Sequence, residues 1–350
     1  VPAGPAIDID GMRTLTIDLN AMTYTLSRIA IANCMPDDAA AACPSKAFRT
    51  KDGGVKIWMT RNLNWNGGPE IGAMKLGSRL VPAYSGSATS GGYDPQDPYI
   101  ERNPAYDEEE SGGSVKGDQA VTDRHGRLYT LDEILLGTPA GGLGRGITSI
   151  EWPSAYNVGS TFVDAVGTQI TARVFKSAEM KAVTDDERFF AENPALSAQI
   201  QGICPYGWHI ANFRDWYDLA YAALEASRGD GTYPVREEML TIAKLVATNA
   251  NNVAPWLRTQ EGWNSTPARA AGADAFDFNL YPTGWRLNKN GYGQYGDTAH
   301  SWVPLIGSSA KKTWRLNNVK ATSNYWFNDN LDAGNPAVGI RCVKNYKVKK

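Results

Sequence analysis

The stretch Gly202-Ile203-Cys204-Pro205-Tyr206-Gly207-Trp208-His209-Ile210 constrains this chain more than any other. It is a turn bounded by proline and glycine that runs at once into a helix signal. Asn212 supplies the N-cap, and Asp215 follows three residues later as its capping partner. Phe213, Trp216, Leu219, Ala220, Ala223 and Leu224 then fall on one helical face, and the helix is expected to end near Gly229. Much later the chain closes on Val338-Gly339-Ile340-Arg341-Cys342-Val343, an apolar run that reads as a last strand.

With 35 glycines, 11 tryptophans and 16 tyrosines in 350 residues, the chain reads as a loop-rich β protein with aromatic packing, not as a helical bundle. A formal net charge of −2 builds no field for nucleic acid or for an anionic membrane. No apolar run reaches the roughly 18 residues of a transmembrane segment. The length suits one large domain or two. The chain begins at Val1 without Met, so a mature or truncated fragment is expected, with its targeting segment and anchor outside it.

Residues 1–31 read as β structure. An Asp10-Gly11 turn is followed by Leu15, Ile17 and Leu19 alternating with Thr14, Thr16 and Asp18, and Met22 to Leu26 continues the pattern. A lone hairpin is marginal in water, so this segment is expected to complete a sheet, either in the main domain or at the end of a preceding β-sandwich domain. Residues 66–120 form an irregular excursion ending in Asp107-Glu108-Glu109-Glu110; it reads as a solvated acidic loop before it reads as a Ca²⁺ site. Residues 137–146 are glycine-rich but carry no Gly-Lys-Ser/Thr and no GxGxxG, so they read as a loop, not a phosphate cradle. Asp185 to Phe190 predicts the start of a short helix. A second main helix is expected over about Val235–Asn249, with Met239, Ile242, Ala243 and Val246 on one face. Gly284 to Gly293 predicts a hairpin with Asn290-Gly291 at its tip.

Cys34, Cys43, Cys204 and Cys342 allow three pairings, and no CxxC occurs. With only three histidines a zinc site is not expected. HExxH, GxSxG and P-loop signatures are absent. His125 in a turn, His209 before the helix and His300 in a loop each read as a surface or hydrogen-bonded structural histidine.

Further segments carry a family resemblance. They are Trp58-Met59-Thr60-Arg61-Asn62-Leu63-Asn64, Arg124-His125-Gly126-Arg127-Leu128-Tyr129-Thr130, Gly262-Trp263-Asn264 and Phe276 through Pro282-Thr283-Gly284-Trp285-Arg286. In this order, with the Cys-Pro-x-Gly-Trp-His turn and the Arg-Cys-Val strand, they resemble the major paralogous domain first described in Fibrobacter succinogenes. That domain is widespread in secreted proteins of Fibrobacter and Bacteroides relatives. The resemblance spans about Lys51 to Val343, with insertions at about 66–120 and 138–200 that have no counterpart. It divides the chain into an N-terminal β segment, 1–45, and a major paralogous domain, 46–350. It implies an α+β, C-type-lectin-like fold, loop-rich, with short antiparallel strands and two main helices. It also implies a Cys204–Cys342 bridge, leaving Cys34 and Cys43 to pair locally, in an oxidising compartment. Closing so long a loop stabilises by about 5 kcal/mol in the chain-entropy treatment.

The formylglycine-generating enzymes share this architecture, and Gly339-Ile340-Arg341-Cys342 is similar to their Gly-Phe-Arg-Cys ending. Their chemistry needs a reactive cysteine pair beside copper, and Cys204 is expected in a structural bridge, so no enzyme activity is expected. The expectation is a non-catalytic cell-surface or secreted binding or adhesion protein, outer-membrane anchored, with a glycan or a surface protein as ligand. The alternative is a structural or accessory subunit of a surface assembly, such as a fimbrial tip or a transporter-associated lipoprotein. Stacking sugars needs flat apolar faces beside planar amides and carboxylates. Trp263, Asn264, Asn288, Asn290, Tyr292, Tyr325, Trp326, Asn328 and Asp329 supply both, and form the candidate ligand site. Trp326-Phe327-Asn328-Asp329 resembles the lectin Trp-Asn-Asp motif with Phe inserted, which leaves Ca²⁺ as the one cofactor to consider.

Overall fold

The computed structural model describes residues 7–8, 13–18, 23–28, 45–64, 125–129, 134, 159–173, 175–202, 204, 207–226, 240–246, 253–260, 262–263, 274, 278–287, 291–293, 296–304, 314–320 and 337–347. Strands β1 (Ile7–Asp8), β2 (Arg13–Asp18) and β3 (Thr23–Arg28) form a three-stranded antiparallel sheet in chain order. The alternation read in this segment therefore builds a sheet of its own, with Leu15 opposite both Ile7 and Leu26.

The central sheet comes from distant parts of the chain. β4 (Ser45–Arg49) and β5 (Val55–Met59) form a hairpin. Its turn closes where Gly53 N–H donates to Thr50 O, and the φ of 79° at Gly53 is a conformation that favours glycine. Next come a small hairpin of β6 (Thr161–Val163) and β7 (Gln169–Thr171), then α1 (Ser177–Lys181), α2 (Asp186–Glu192) and a 3₁₀ turn at Pro194–Ser197. β8 (Trp208–Ile210) leads into α3 (Phe213–Ala226), then α4 (Ile242–Leu245) and α5 (Ala254–Leu257). β9 (Trp285–Leu287) pairs with β10 (Gly291–Gly293), and β11 (Thr298–Pro304) with β12 (Trp314–Lys320). The last strand, β13 (Cys342–Lys344), inserts between β5 and β8, giving the antiparallel order β4-β5-β13-β8. The architecture is α+β, with few helices and short antiparallel strands.

Helix α3 lies across the aromatic centre of the core. Trp58, Trp216 and Phe278 meet edge to face, with Trp58 and Trp216 centroids 5.0 Å apart and Trp58 and Phe278 5.6 Å apart. Phe213, Trp216, Leu219, Ala220, Ala223 and Leu224 are all buried, as their spacing requires. The helix buries a second face too. Tyr217 packs 5.3 Å from Phe190 of α2 and donates its hydroxyl to Asp186 at 2.7 Å. Residues 159–200, read in the sequence as part of an insertion, thus contribute Phe175, Met180, Phe190 and Leu196 to the same core.

Three of the separated motifs converge at Asn62. Leu63 N–H donates to Ile340 O, Arg127 N–H to Leu63 O, and Tyr129 and Val338 exchange both backbone bonds. A Cβ on Gly126 would lie 2.3 Å from Asn62 O, and one on Gly339 2.3 Å from Asn62 Nδ2. Glycine at both positions is what lets the three segments touch.

Two expectations change. Of the long second helix, the described residues hold one turn, Ile242–Leu245. Thr241 is extended, with φ −132°, and its side chain accepts from Lys244 N–H, so the cap fixes the helix start at Ile242. His300 lies in β11 and not in a loop; it is buried and its Nε2 is 2.6 Å from Thr298 Oγ1.

Candidate functional site

The first turn of α3 gathers a buried charged cluster. Asn212 and Asp215 form a reciprocal cap: Asp215 N–H donates to Asn212 Oδ1 at 2.9 Å, and Asn212 N–H to Asp215 Oδ2 at 2.8 Å. This fixes the Asp215 carboxylate against the sheet. Alternation along β5 turns Lys56 inward on the same face as Trp58. Lys56 Nζ then lies 2.8 Å from Asp215 and 2.9 Å from Asp218, with its own side chain 6 % exposed. His209 on β8 is fully buried, with Nε2 2.9 Å from Asp215 Oδ2 and Nδ1 3.0 Å from Asn345 Oδ1. Tyr346 donates its hydroxyl to Asp215 Oδ1 at 3.0 Å, and Lys56 sits 4.3 Å from the centroid of its ring.

Burial alone would neutralise such groups. For Lys56 burial pulls the pKa down, but Asp215, Tyr346 and Asp218 more than reverse it and hold it above its ordinary value. For Asp215 burial pushes up, and Lys56 with His209 brings it well below the usual carboxylate range. Both remain charged. Tyr346 is pushed up, first by burial and then by the Asp215 charge, so its hydroxyl stays a donor.

Outside this cluster lies a second layer. Arg214 spans Asp218, at 3.2 Å in an i,i+4 pair, and Glu187 of α2, at 3.1 Å, with Phe190 beneath its guanidinium. Between the layers opens a cavity of about 330 Å³, walled by Lys56, Phe190, Arg214, Asp218, Tyr346 and Lys347 among others. Asp218 is 3 % exposed, and its Oδ1 accepts no hydrogen bond. Leaving a buried acceptor unsatisfied costs about 1–3 kcal/mol, and Asp218, which lines the cavity, carries that cost at Oδ1.

Both ring nitrogens of His209 are engaged, and Asp215 is held as an acceptor by Lys56, Asn212 and Tyr346. Cys204 and Cys342 are bonded to each other, Cα atoms 5.9 Å apart, and both are buried. The bridge ties the turn before β8 to β13. Among the described residues no group of three or more His, Cys, Asp or Glu is placed to hold a metal ion.

The sequence-derived ligand residues are placed only in part. Trp263 is 7 % exposed, donates its indole N–H to Thr259 Oγ1 at 3.2 Å and faces the Arg258 guanidinium at 5.3 Å, so its ring sits in the core. Tyr292 lies on β10 opposite Arg286 of β9, and three residues, 288–290, connect the two strands. Asn264, Asn288, Asn290, Tyr325, Trp326, Asn328 and Asp329 fall outside the described residues, as do Cys34, Cys43 and the acidic run 107–110. His125 is buried and stacks on Tyr281, centroids 3.7 Å apart. Sequence reasoning passed over Lys56, Asp218 and Tyr346. The legible signal was Lys56, a lysine two residues before Trp58 on the inward side of an alternating strand.

No helix among the described residues is long and apolar enough to cross a membrane. No curated protein and no solved structure matches the chain. A family model described as the Fibrobacter succinogenes major domain matches residues 53–344. That match takes in β5, the Cys204 turn, α3 and β13 up to Lys344, the elements that build the cluster and the bridge. The chain belongs to the Fibrobacter succinogenes major domain family.

Proposed function

We propose that this chain is a non-catalytic, cell-surface or secreted binding module of a Fibrobacter- or Bacteroides-type bacterium, with a glycan as its ligand class and a C-type-lectin-like scaffold. The observation that carries the reading is the buried Cys204–Cys342 bridge at the centre of the sheet. A structural disulfide suits an oxidising compartment. It also removes from use the cysteine pair that a formylglycine-generating-type oxidase would need. His209, Asp215 and Lys56 are committed to one another, which favours a scaffold over a proton-transfer site.

We place the ligand surface along residues 263–332. The β9–β10 hairpin supports this. Gly284 N–H donates to Thr298 O and Trp285 packs against the core, so the base of the hairpin is anchored where β11 begins. A paired, anchored base suits the display of a recognition surface. The outer-membrane location and any Ca²⁺ dependence belong to this same proposal.

The test is a glycan array and affinity gels with the whole chain, then Tyr292→Ala and the double variant Asn328→Ala/Asp329→Ala. One desolvated aromatic contact is worth about 2 kcal/mol or more, so at least a tenfold loss is expected at a stacking tyrosine. Retention on no glycan, with the chain instead isolated in a stoichiometric membrane complex, would replace the reading with that of an assembly subunit.

A further inference from the structure

We infer that the cavity between β5, α2, α3 and the C-terminal segment is a second binding site, for a single neutral, hydroxyl-bearing sugar unit. The assignment rests on the reading of the chain as a glycan-binding module, but builds the contact from residues outside 263–332.

Four observations carry it. The cavity measures about 330 Å³, at the lower end of the roughly 300–1,000 Å³ of small-ligand sites. Its charges balance, because Lys56, Arg214 and Lys347 face Asp52, Glu187 and Asp218. Lys56 and Arg214 are already paired with Asp218, and Arg214 with Glu187. A charged ligand would find no net countercharge, whereas a neutral one meets no penalty. Two groups have unused hydrogen-bonding capacity. Asp218 Oδ1 is a buried acceptor without a donor, and Lys347 at the mouth is exposed, with no ion pair among the described residues. A sugar hydroxyl both donates and accepts, so adjacent hydroxyls of one ring can satisfy both. Finally, Phe190, Tyr346 and the exposed Val55 add apolar surface to the wall, against which the C–H face of a pyranose can lie.

The experiment titrates the full chain with methyl β-glucoside, methyl β-galactoside and N-acetylglucosamine at millimolar concentration, read by calorimetry and saturation-transfer NMR. Glucuronate, glucosamine and inorganic phosphate serve as charged comparators. At least one neutral sugar is expected to bind tenfold or more tightly than its charged comparators. Asp218→Asn should weaken binding about tenfold. Because Asp218 also pairs with Lys56, Ala191→Trp decides the matter if that variant misfolds. Ala191 is exposed in the last turn of α2 and lines the cavity, so an indole there fills the space without disturbing the core. Loss of binding in Ala191→Trp with an unchanged melting temperature supports the site. Binding of no neutral sugar, preference for a charged comparator, or undiminished binding in Ala191→Trp would overturn it. Tyr292→Ala separates the two sites. Binding lost there but kept in Ala191→Trp leaves the surface along residues 263–332 standing and removes the cavity, and the reverse pattern does the opposite.

Discussion

Lys56 and Arg341 are both cations buried at the central sheet, yet the protein treats them in opposite ways. Lys56 meets two carboxylates and is held above its ordinary pKa. Arg341 meets carbonyls: its guanidinium donates to Met59 O at 3.2 Å, Phe278 O at 2.7 Å and Asn279 O at 2.6 Å, with the Phe278 ring 4.3 Å away. Burial is its leading influence and lowers it to about 9, still charged at neutral pH. Burial works in the same direction on both. Direct contact with Asp215 and Asp218 reverses it for Lys56, whereas at Arg341 the charge of Asp274, opposed by Arg61, offsets only part of it. The roles differ accordingly. The planar fork of Arg341 ties β13 to two other backbone segments, at Met59 and at Phe278–Asn279, in a closed part of the core. The ammonium of Lys56 joins a strand to a helix beside an open cavity, where a ligand could share its partners.

The sharpest way to break this comparison is Lys56→Met, which leaves Asp215 buried with only His209, Asn212 and Tyr346 and Asp218 with only Arg214. Removing one partner of a buried pair costs about 3–5 kcal/mol, and denaturant unfolding should show it. A cost below about 1 kcal/mol would mean the cluster is not a latch. Adding Asp215→Asn should recover part of the loss.

Next in size is the bridge. Cys204→Ser with Cys342→Ser should destabilise by about 2–5 kcal/mol, since the closed loop spans 138 residues. If Arg341 braces β13 independently, the double serine variant still folds at low temperature. Arg341→Met itself should cost about 1.5–3 kcal/mol, the range for hydrogen bonds to a charged group. Arg341→Lys should not rescue it, because a point ammonium cannot reach carbonyls along two directions.

Acid titration sharpens the comparison further. The depressed Asp215 contributes stability that is present above its ordinary value of 3.8 and is lost as pH falls below it toward the folded-state value. The stability gap between the wild type and Asp215→Asn should therefore close on acidification from about pH 5. The gap for Arg341→Met should not change over that range, because the guanidinium keeps its proton throughout. A gap for Asp215→Asn that widens in acid would reverse the sign assigned to the cluster. The smallest effect is expected from Asn212→Ala, at about 1 kcal/mol for the lost cap, measured by the same unfolding curves.

Local signals told the sequence reader much of the fold. The Asn212 and Asp215 cap, the apolar face of α3, the short helix at Asp186 and the Trp285–Gly293 hairpin each depend on neighbours a few residues apart. The family motifs, in order along the chain, implied the Cys204–Cys342 bridge that the structure contains. Other features needed three dimensions. Lys56 reaches Asp215 across 159 residues, and nothing near either residue announces the other. A second buried face on α3 was invisible because its cover, Asp186 and Phe190, comes from a segment that read as an insertion. The indole of Trp263, flat and apolar, looked equally suited to stacking a sugar or to filling a core, and only packing beside Thr259 and Arg258 decided. Periodicity and capping are short-range physics and so are written in consecutive residues. The partner of a buried charge is chosen by which strands and helices come together, and that is settled only when the whole chain has folded.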